Sequence, residues 1–389
     1  MILAAALLAA TLSTPIVSDE VVIAAPQLVS QAAFVGPAVS IVADGRGFVV
    51  AWTARPDGFH SRVFVMRLDD AARPIAGTLR QIPSENDASM PRLAVTENGY
   101  VIAWLETRPD GLYRAADAVL DRSLALIGGP TVLIISKSVL FLAVVPPVIH
   151  VARDDQVIDY DANGTIVGFP RFTQRPDDLA PDAASFFAAA HSFTPAFHFN
   201  CMFFCGGGLP DRPAEYKIVF GRAGTLPAVI TSNEENTNGS AIEFHGDLGL
   251  LAWYSNGSVR ALRFLSNSTP LDALKPLNAG DYKSGKFWQD SRPSIAWDGS
   301  RWLVVWQTIA ADDGRTAIRA AVISTEGLVT PVPIQDGAES ERHPAVIAVS
   351  PGRLLVVYAI AGDSPVAGND TKIGARFITF ANGRTRAVR

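Results

Sequence analysis

In this 389-residue chain the clearest residues able to do chemistry at a recurring spacing form a repeated tetrapeptide. Arg55-Pro56-Asp57-Gly58 and Arg108-Pro109-Asp110-Gly111 are near copies, echoed by Leu209-Pro210-Asp211-Arg212 and Asp312-Asp313-Gly314. Proline pre-sets one backbone angle and Asp-Gly closes a hairpin, so turn chemistry alone accounts for the pattern. Gathered on one face of a repeat fold, the same side chains would instead make a ring of paired Arg and Asp able to hold a polar ligand such as a sugar. A second set lies in 278–292, where Tyr282, Lys283, Lys286, Phe287, Trp288 and Asp290 crowd one loop. Aromatic faces beside hydrogen-bonding groups suit carbohydrate or peptide recognition, although Trp288 would equally serve to cover a sheet edge. The candidate ligand-binding residues are therefore Arg55, Asp57, Arg108, Asp110, Tyr282, Lys286, Trp288 and Asp290.

Other reactive residue types form no motif. The six histidines are His60, His150, His191, His198, His245 and His343, and no pair has the spacing of a zinc site. Cys201 and Cys205 bracket Met202-Phe203-Phe204. On a straight strand they would lie about 13 Å apart, beyond disulfide reach, unless the chain bends towards Gly206-Gly207-Gly208. Those glycines lack the following Lys-Ser/Thr of a phosphate loop. The stretch from Asp363 to Asp370 offers oxygen ligands without the regular spacing of a calcium loop, so a turn is expected. Asn-x-Ser/Thr occurs at Asn163, Asn238, Asn256, Asn267 and Asn369, mostly where turns are expected. No metal and no cofactor is expected. A hydrolase or lyase acting on polysaccharide is the alternative to a binding role. It would need two facing carboxyl groups, drawn from residues such as Asp87, Glu235, Asp290 and Glu341.

Composition narrows the partners. With 33 Lys+Arg against 38 Asp+Glu the net charge is −5, and 48% of residues are hydrophobic. That much apolar surface excludes disorder, and the acidic balance without a basic run argues against nucleic acid. Residues 2–10 are an unbroken run of Ile, Leu and Ala, followed by a short polar segment and Asp19-Glu20. This reads as a secretory signal peptide over 1–18, departing from the usual pattern in that the first Lys or Arg is Arg46. A secreted or periplasmic protein, with a mature domain over 19–389, is expected. The run Thr131 to Ala152 contains Lys137 and Pro146-Pro147, which points to two buried strands joined by a tight connection rather than a membrane span.

The positioning elements come from an internal repeat. Pro37-Ala38-Val39-Ser40-Ile41 leads through Asp44-Gly45 to Phe48-Val49-Val50-Ala51-Trp52, and Pro91-Arg92-Leu93-Ala94-Val95 through Asn98-Gly99 to Trp104. Pro293-Ser294-Ile295-Ala296 leads through Asp298-Gly299 to Trp306, and Pro344-Ala345-Val346-Ile347 through Pro351-Gly352 to Tyr358. A copy without the proline ends on Trp253. Each is a strand, a glycine turn and a second strand ending on an aromatic. Adjacent aromatics fall 52, 53 and 52 residues apart, and the 149 residues between Trp104 and Trp253 make room for two degenerate copies. Val148-Ile149-His150-Val151 and Phe199 to Phe204 occupy the expected places, giving seven. Third strands follow, several opening on an arginine (Arg62, Arg114, Arg260, Arg319), a repetition that suits a structural salt bridge.

Four strands in a period of about 50 residues is the signature of a propeller blade. On these residues the chain resembles seven-bladed β-propellers, specifically secreted bacterial repeat proteins with a Pro-x-hydrophobic-Ala, Asp-Gly, Val-Val-x-Trp pattern, over about residues 20–389. The resemblance implies an all-β fold of seven blades with four antiparallel strands each. Glu20-Val21-Val22-Ile23-Ala24 would supply the missing fourth strand of the last blade and close the ring. A Trp-Asp dipeptide repeated from blade to blade, the paired-glycine kelch pattern and the sialidase-type Asp box are absent, so the resemblance carries a fold and no activity. The expected protein is a monomeric, exported scaffold that binds carbohydrate or another secreted protein.

Overall fold

A computed structural model describes residues 15–27, 39–56, 59–137, 140–145, 147–153, 156–169, 178–182, 185–194, 215–222, 225, 228–232, 238–255, 258–272, 275–277, 292–309, 315–334, 339–361 and 371–380. Among these every regular element is a strand, and the strands form seven antiparallel sheets in sequence order. Blade one is Val39–Ala43, Phe48–Ala54, Arg62–Leu68 and Arg80–Ile82, and blade two is Asp87–Val95, Gly99–Thr107, Tyr113–Asp121 and Leu126–Ser136. Blade three is Leu140–Val145, Val148–Arg153, Gln156–Tyr160 and Ile166–Gly168, and blade four is Asp178–Asp182, Ser185–Thr194, Glu215–Arg222 and Ala228–Ser232. Blade five is Asn238–His245, Leu248–Ser255, Ser258–Leu265 and Lys275–Pro276, and blade six is Ser294–Trp297, Arg301–Ile309, Thr316–Ser324 and Val329–Val332. Blade seven is Ser340–Ser350, Arg353–Ala361 and Thr371–Phe380. First strands of neighbouring blades touch all the way round, blade seven against blade one included, so they form the inner ring of a propeller.

The core is divided into seven apolar clusters, one between each pair of adjacent blades. The repeat aromatic of each copy packs against the preceding blade: Trp104 meets Val49 and Val65 of blade one, and Tyr358 meets Leu303 and Val305 of blade six. Fully burying one such side chain contributes about 1.5–3 kcal/mol. Among the described residues, the cluster between blades three and four includes Ala143, Ala152, Ala188 and Ala190. This is where the sequence repeat fades.

Blade four corrects the counting by equal steps. Its second strand is Ser185–Thr194, upstream of Phe199 to Phe204, which lie outside the described residues together with Cys201 and Cys205. The spacing misleads because 195–214, between the second and third strands, makes that connection long while alanines stand where other blades carry an aromatic. The run Thr131 to Ala152 divides differently from the expected two strands. Thr131–Ser136 ends the outermost strand of blade two, while Leu140–Val145 and Val148–Arg153 are the first hairpin of blade three. No helix among the described residues is long and apolar enough to cross a membrane.

Glycines at the inner hairpins serve two purposes. Gly45 adopts φ 77°, the left-handed conformation that its turn requires. Gly99 is needed for space, because a Cβ there would strike the Leu120 carbonyl of the neighbouring strand. The recurring arginines, too, occupy two registers: Arg62 and Arg114 lie opposite Ala54 and Glu106, whereas Arg260 and Arg319 lie opposite Trp253 and Trp306. Arg114 makes the expected salt bridges, to Glu85 and to the buried Glu106, whose carboxylate also accepts from the Trp104 indole at 2.9 Å. Arg62 donates to the Asn86 carbonyl at 3.0 Å and so ties blade one to blade two.

The ring is closed by the N-terminal segment. Val21–Gln27 pairs antiparallel with Thr371–Phe380, the third strand of blade seven, and Pro15–Val17 pairs with the far end of the same strand. Between them Glu20 accepts a hydrogen bond from the Tyr358 hydroxyl at 2.7 Å. Arg376 donates to that hydroxyl at 2.6 Å and lies 3.5 Å from both Glu20 and Glu341. Tyrosine stands where other blades have tryptophan because its hydroxyl joins this clasp. Replacing Glu20→Ala removes the acceptor and should lower stability by about 1–2 kcal/mol in urea unfolding. An unchanged midpoint would show that strand pairing alone holds the ring.

Candidate functional site

The inner strand of each blade has one edge paired within its sheet and the other turned to its neighbours and the channel. Proline has no N–H to lose on that edge, which explains the repeat prolines Pro91 and Pro344. Both follow a bulge in which the preceding residue is left-handed, Met90 at φ 52° and His343 at φ 51°. Such bulges re-aim side chains. Three further edge N–H groups among the described residues are capped across blade boundaries. Ser40 accepts from Leu93 N at 3.0 Å, Ser294 from Val346 N at 3.2 Å, and Asp178 from Ile242 N at 3.0 Å.

Asp178 is the ionisable member of this set, and the candidate site is built on it. Its other oxygen accepts from Arg292 at 2.8 Å, joining blade four to the start of blade six across blade five. Asp178, Glu243, Arg292, Ser294 and Pro344 line a cavity of about 190 Å³ between the inner strands of blades four to seven. Glu243 is half-buried and makes no hydrogen bond among the described residues. Burial first, and then the Asp178 carboxylate, push its carboxyl up to about 8, so it holds a proton at neutral pH. Arg92, on the inner strand of blade two, is 8% exposed and donates to the Pro91 carbonyl at 3.1 Å. Burial and then the nearby Arg292 guanidinium push it down to about 9. His343 on blade seven is pushed down to about 4 by burial and then by Arg342. The cavity therefore presents an ion pair flanked by a protonated carboxyl.

The sequence candidates fall elsewhere. Arg108 and Asp110 pair with each other at 2.9 Å inside their own turn, where Gly111 has φ 78°. Arg55 donates to Ser61 at 3.3 Å. These residues belong to blades one and two and do not line the cavity. Asp57, Tyr282, Lys286, Trp288 and Asp290 lie outside the described residues, as do Glu235 and the stretch from Asp363 to Asp370. Arg292 is the first described residue after 278–291. Of the carboxylates suggested for catalysis, Asp87 accepts from Ser61 N at 2.9 Å and Glu341 from Ile318 N at 3.2 Å, both tying blades together. Sequence reasoning missed Asp178, Glu243, Arg292 and Arg92 as a group. The available signal was a charge inside an apolar strand pattern, as in Ile242-Glu243-Phe244 and Pro91-Arg92-Leu93. Among the described residues no group of three or more His, Cys, Asp or Glu could hold a metal. His150 is engaged with Asp159 at 2.6 Å.

The molecule is a seven-bladed β-propeller with a charged cavity among its inner strands. No protein-family model matches the sequence, and a search of curated proteins found no match. Among solved structures, a protein of unknown function from Dyadobacter fermentans is similar with a TM-score of 0.54 at 12% identity, over 95% of this chain and 100% of that one. The S. cerevisiae core factor is similar with a TM-score of 0.53 at 8% identity, over 97% of this chain and 63% of that one. At these identities the likeness is one of fold.

A second buried carboxyl tests the electrostatic reading. Asp117, on the third strand of blade two, is fully buried, and neither oxygen has a hydrogen-bond partner among the described residues. Burial, then the Asp161 charge, raise it to about 7. Between its ordinary value of about 4 and about 7, the folded protein keeps a proton that the unfolded chain has released, so stability falls as pH rises through that window. Asp117→Asn should shrink the difference between urea midpoints at about pH 5 and about pH 8. An unaltered difference would place the pH dependence elsewhere.

Proposed function

We propose that this chain is an exported binding scaffold whose channel cavity takes a small polar molecule. The observation that carries this reading is the cavity's lining, an Asp178–Arg292 ion pair beside the open Glu243 carboxyl. A volume of about 190 Å³ equals about six waters, room for a monosaccharide or an amino acid rather than a polymer. A carbohydrate residue or the end of a secreted protein would enter from the channel, and 278–291, which carry Tyr282, Lys286, Trp288 and Asp290, lead directly into Arg292. Hydrolysis or cleavage of a polysaccharide would need its chain end to enter this cavity, with the protonated Glu243 carboxyl as the acid. In a thermal-shift panel of monosaccharides, oligosaccharides and short peptides, a ligand at about 100 times its dissociation constant should add about 2.7 kcal/mol, a rise of several degrees. Binding without turnover supports the scaffold, new reducing ends support the hydrolase, and a flat panel removes the small-ligand reading.

Export is supported by the apolar run at residues 2–10. The last blade uses Pro15–Val17 as a strand, and the Ser18 hydroxyl accepts from Phe377 N at 2.9 Å. Processing that spares this pairing would cut before Pro15. Amino-terminal sequencing of the protein recovered outside the cytoplasm should therefore begin at or before Pro15. A first residue after Ser18 would mean that the mature ring closes with Val21–Gln27 alone.

A further inference from the structure

The turn between third and fourth strands is built alike in blades one, two, three, five and six. The N–H of its fourth residue bonds the carbonyl of its first, and that fourth residue (Ala72, Leu124, Gly164, Ser268 or Gly327) is left-handed. Glycine takes this conformation without strain, so a side chain there is kept for what it does. Ala72 and Leu124 are buried in the apolar clusters against the preceding blade, where they plug the seam between two sheets. Ser268, in blade five, is 8% exposed, and its hydroxyl has no hydrogen-bond partner among the described residues. Neighbouring positions depart from the repeat with it. The first turn residue is Asp69, Asp121, Asp161 or Ser324 in the other four blades, each capping two turn N–H groups, but Leu265 in blade five. At two seams a third-strand arginine donates to the carbonyl of the next blade's second turn residue, Arg67 to Arg122 at 2.9 Å and Arg263 to Thr325. Ser266 holds that turn position in blade five, and its carbonyl accepts no such bond among the described residues. The inner-hairpin aspartates of blades one and six are engaged, Asp44 with Arg67 at 2.8 Å and Asp298 with Ser300 N and Arg301 N at 2.9 Å. The Asp247 carboxylate of blade five accepts no hydrogen bond among the described residues.

The seam that apolar side chains plug elsewhere is open here. A cavity of about 520 Å³ lies between blades four and five, lined by the side chains of Arg222, Thr225, Asp247, Ser266, Asn267 and Ser268. It sits on the face of the inner hairpins, opposite the Arg-Pro-Asp-Gly turns, and shares no lining residue with the channel cavity. Its volume equals about seventeen waters and falls within the range of about 300–1,000 Å³ usual for small-molecule sites. We infer that this seam is a second binding site, one for a neutral sugar of one or two rings. The hydroxyls of Thr225, Ser266 and Ser268 can each donate and accept, and so can those of a sugar. Thr225 donates to the Arg222 carbonyl at 2.8 Å and keeps its oxygen lone pairs for a ligand hydroxyl. Asn267 accepts from Thr269 N at 3.0 Å through its carbonyl oxygen and keeps its amide N–H groups. Asp247 takes hydroxyl donors and turns away anions, while the positive charge of Arg222 turns away cations. Every side chain that lines the cavity is polar, so its ligand must be polar over its whole surface.

The test uses the full chain, a panel of neutral hexoses and disaccharides, and glucuronic acid, glucosamine and free amino acids as charged controls. At least one neutral sugar should raise the melting temperature by several degrees, and the charged controls should do less. Ser268→Leu copies blade two, where Leu124 holds the same backbone conformation, and fills the cavity. It should leave the unliganded melting temperature unchanged or higher and abolish the sugar response. Ser268→Ala removes the hydroxyl alone and should weaken binding several-fold, which keeps the test decisive if leucine disturbs the turn. Asp247→Asn should melt like the parent and weaken binding roughly tenfold, read by calorimetry. A sugar response that survives Ser268→Leu, or an affinity unchanged in both Ser268→Ala and Asp247→Asn, overturns the assignment and places the sugar in the channel cavity. A stronger response to the charged controls, or silence across the neutral panel, overturns it as well.

Discussion

The inner edge of seven sheets is the constraint on which this molecule depends. Each first strand turns one row of backbone groups away from its own sheet, and an unpaired N–H buried among protein costs about as much as a lost hydrogen bond. The chain meets that cost in two ways. Proline at Pro91 and Pro344 removes the donor, and Ser40, Asp178 and Ser294 cap the donor of the next blade. The caps act between blades one and two, four and five, and six and seven, and so link those sheets as well as satisfying the backbone. The apolar clusters between blades supply most of the burial, and the caps decide the register in which that burial occurs.

The same logic explains the last blade. A ring of antiparallel sheets leaves one sheet short of a strand unless the two ends of the chain share it. Here Val21–Gln27 and Pro15–Val17 both pair with Thr371–Phe380, so the closing seam is long. Glu20, Tyr358, Arg376 and Glu341 form a mostly buried polar clasp at that seam. A buried network of this sort is favourable only when its members are satisfied, and each of these four has at least one partner at hydrogen-bonding or ion-pair distance.

Charges placed near the channel follow from the caps. Serine caps an edge N–H neutrally, but aspartate at the corresponding place in blade four brings a charge that must itself be paired, and Arg292 reaches across blade five to do so. Burial, and then the like-signed member of that pair, raise the Glu243 carboxyl and lower the Arg92 guanidinium. A structural cap thus became the centre of a polar cavity. Asp117, between blades two and three, is a second buried carboxyl raised by burial and then by a like charge, here that of Asp161.

Sequence by itself determined the all-β class, the blade count, the positions of six second strands and the closure by the N-terminal segment. Those features were legible because burial on both faces forces apolar residues and an aromatic into the second strand of each copy, and hairpin turns force glycine. Blade four was misplaced because alanine fills the place of the aromatic and a long connection separates its second and third strands. The Arg-Pro-Asp-Gly turns were legible as turns, since Arg108 and Asp110 satisfy each other within a few residues. The channel cluster was not. Asp178 and Arg292 are 114 residues apart, and Arg92 and Glu243 are drawn from two further blades. Spacing along a chain records local constraints, and only closing the ring brings those four charges within electrostatic reach of one another.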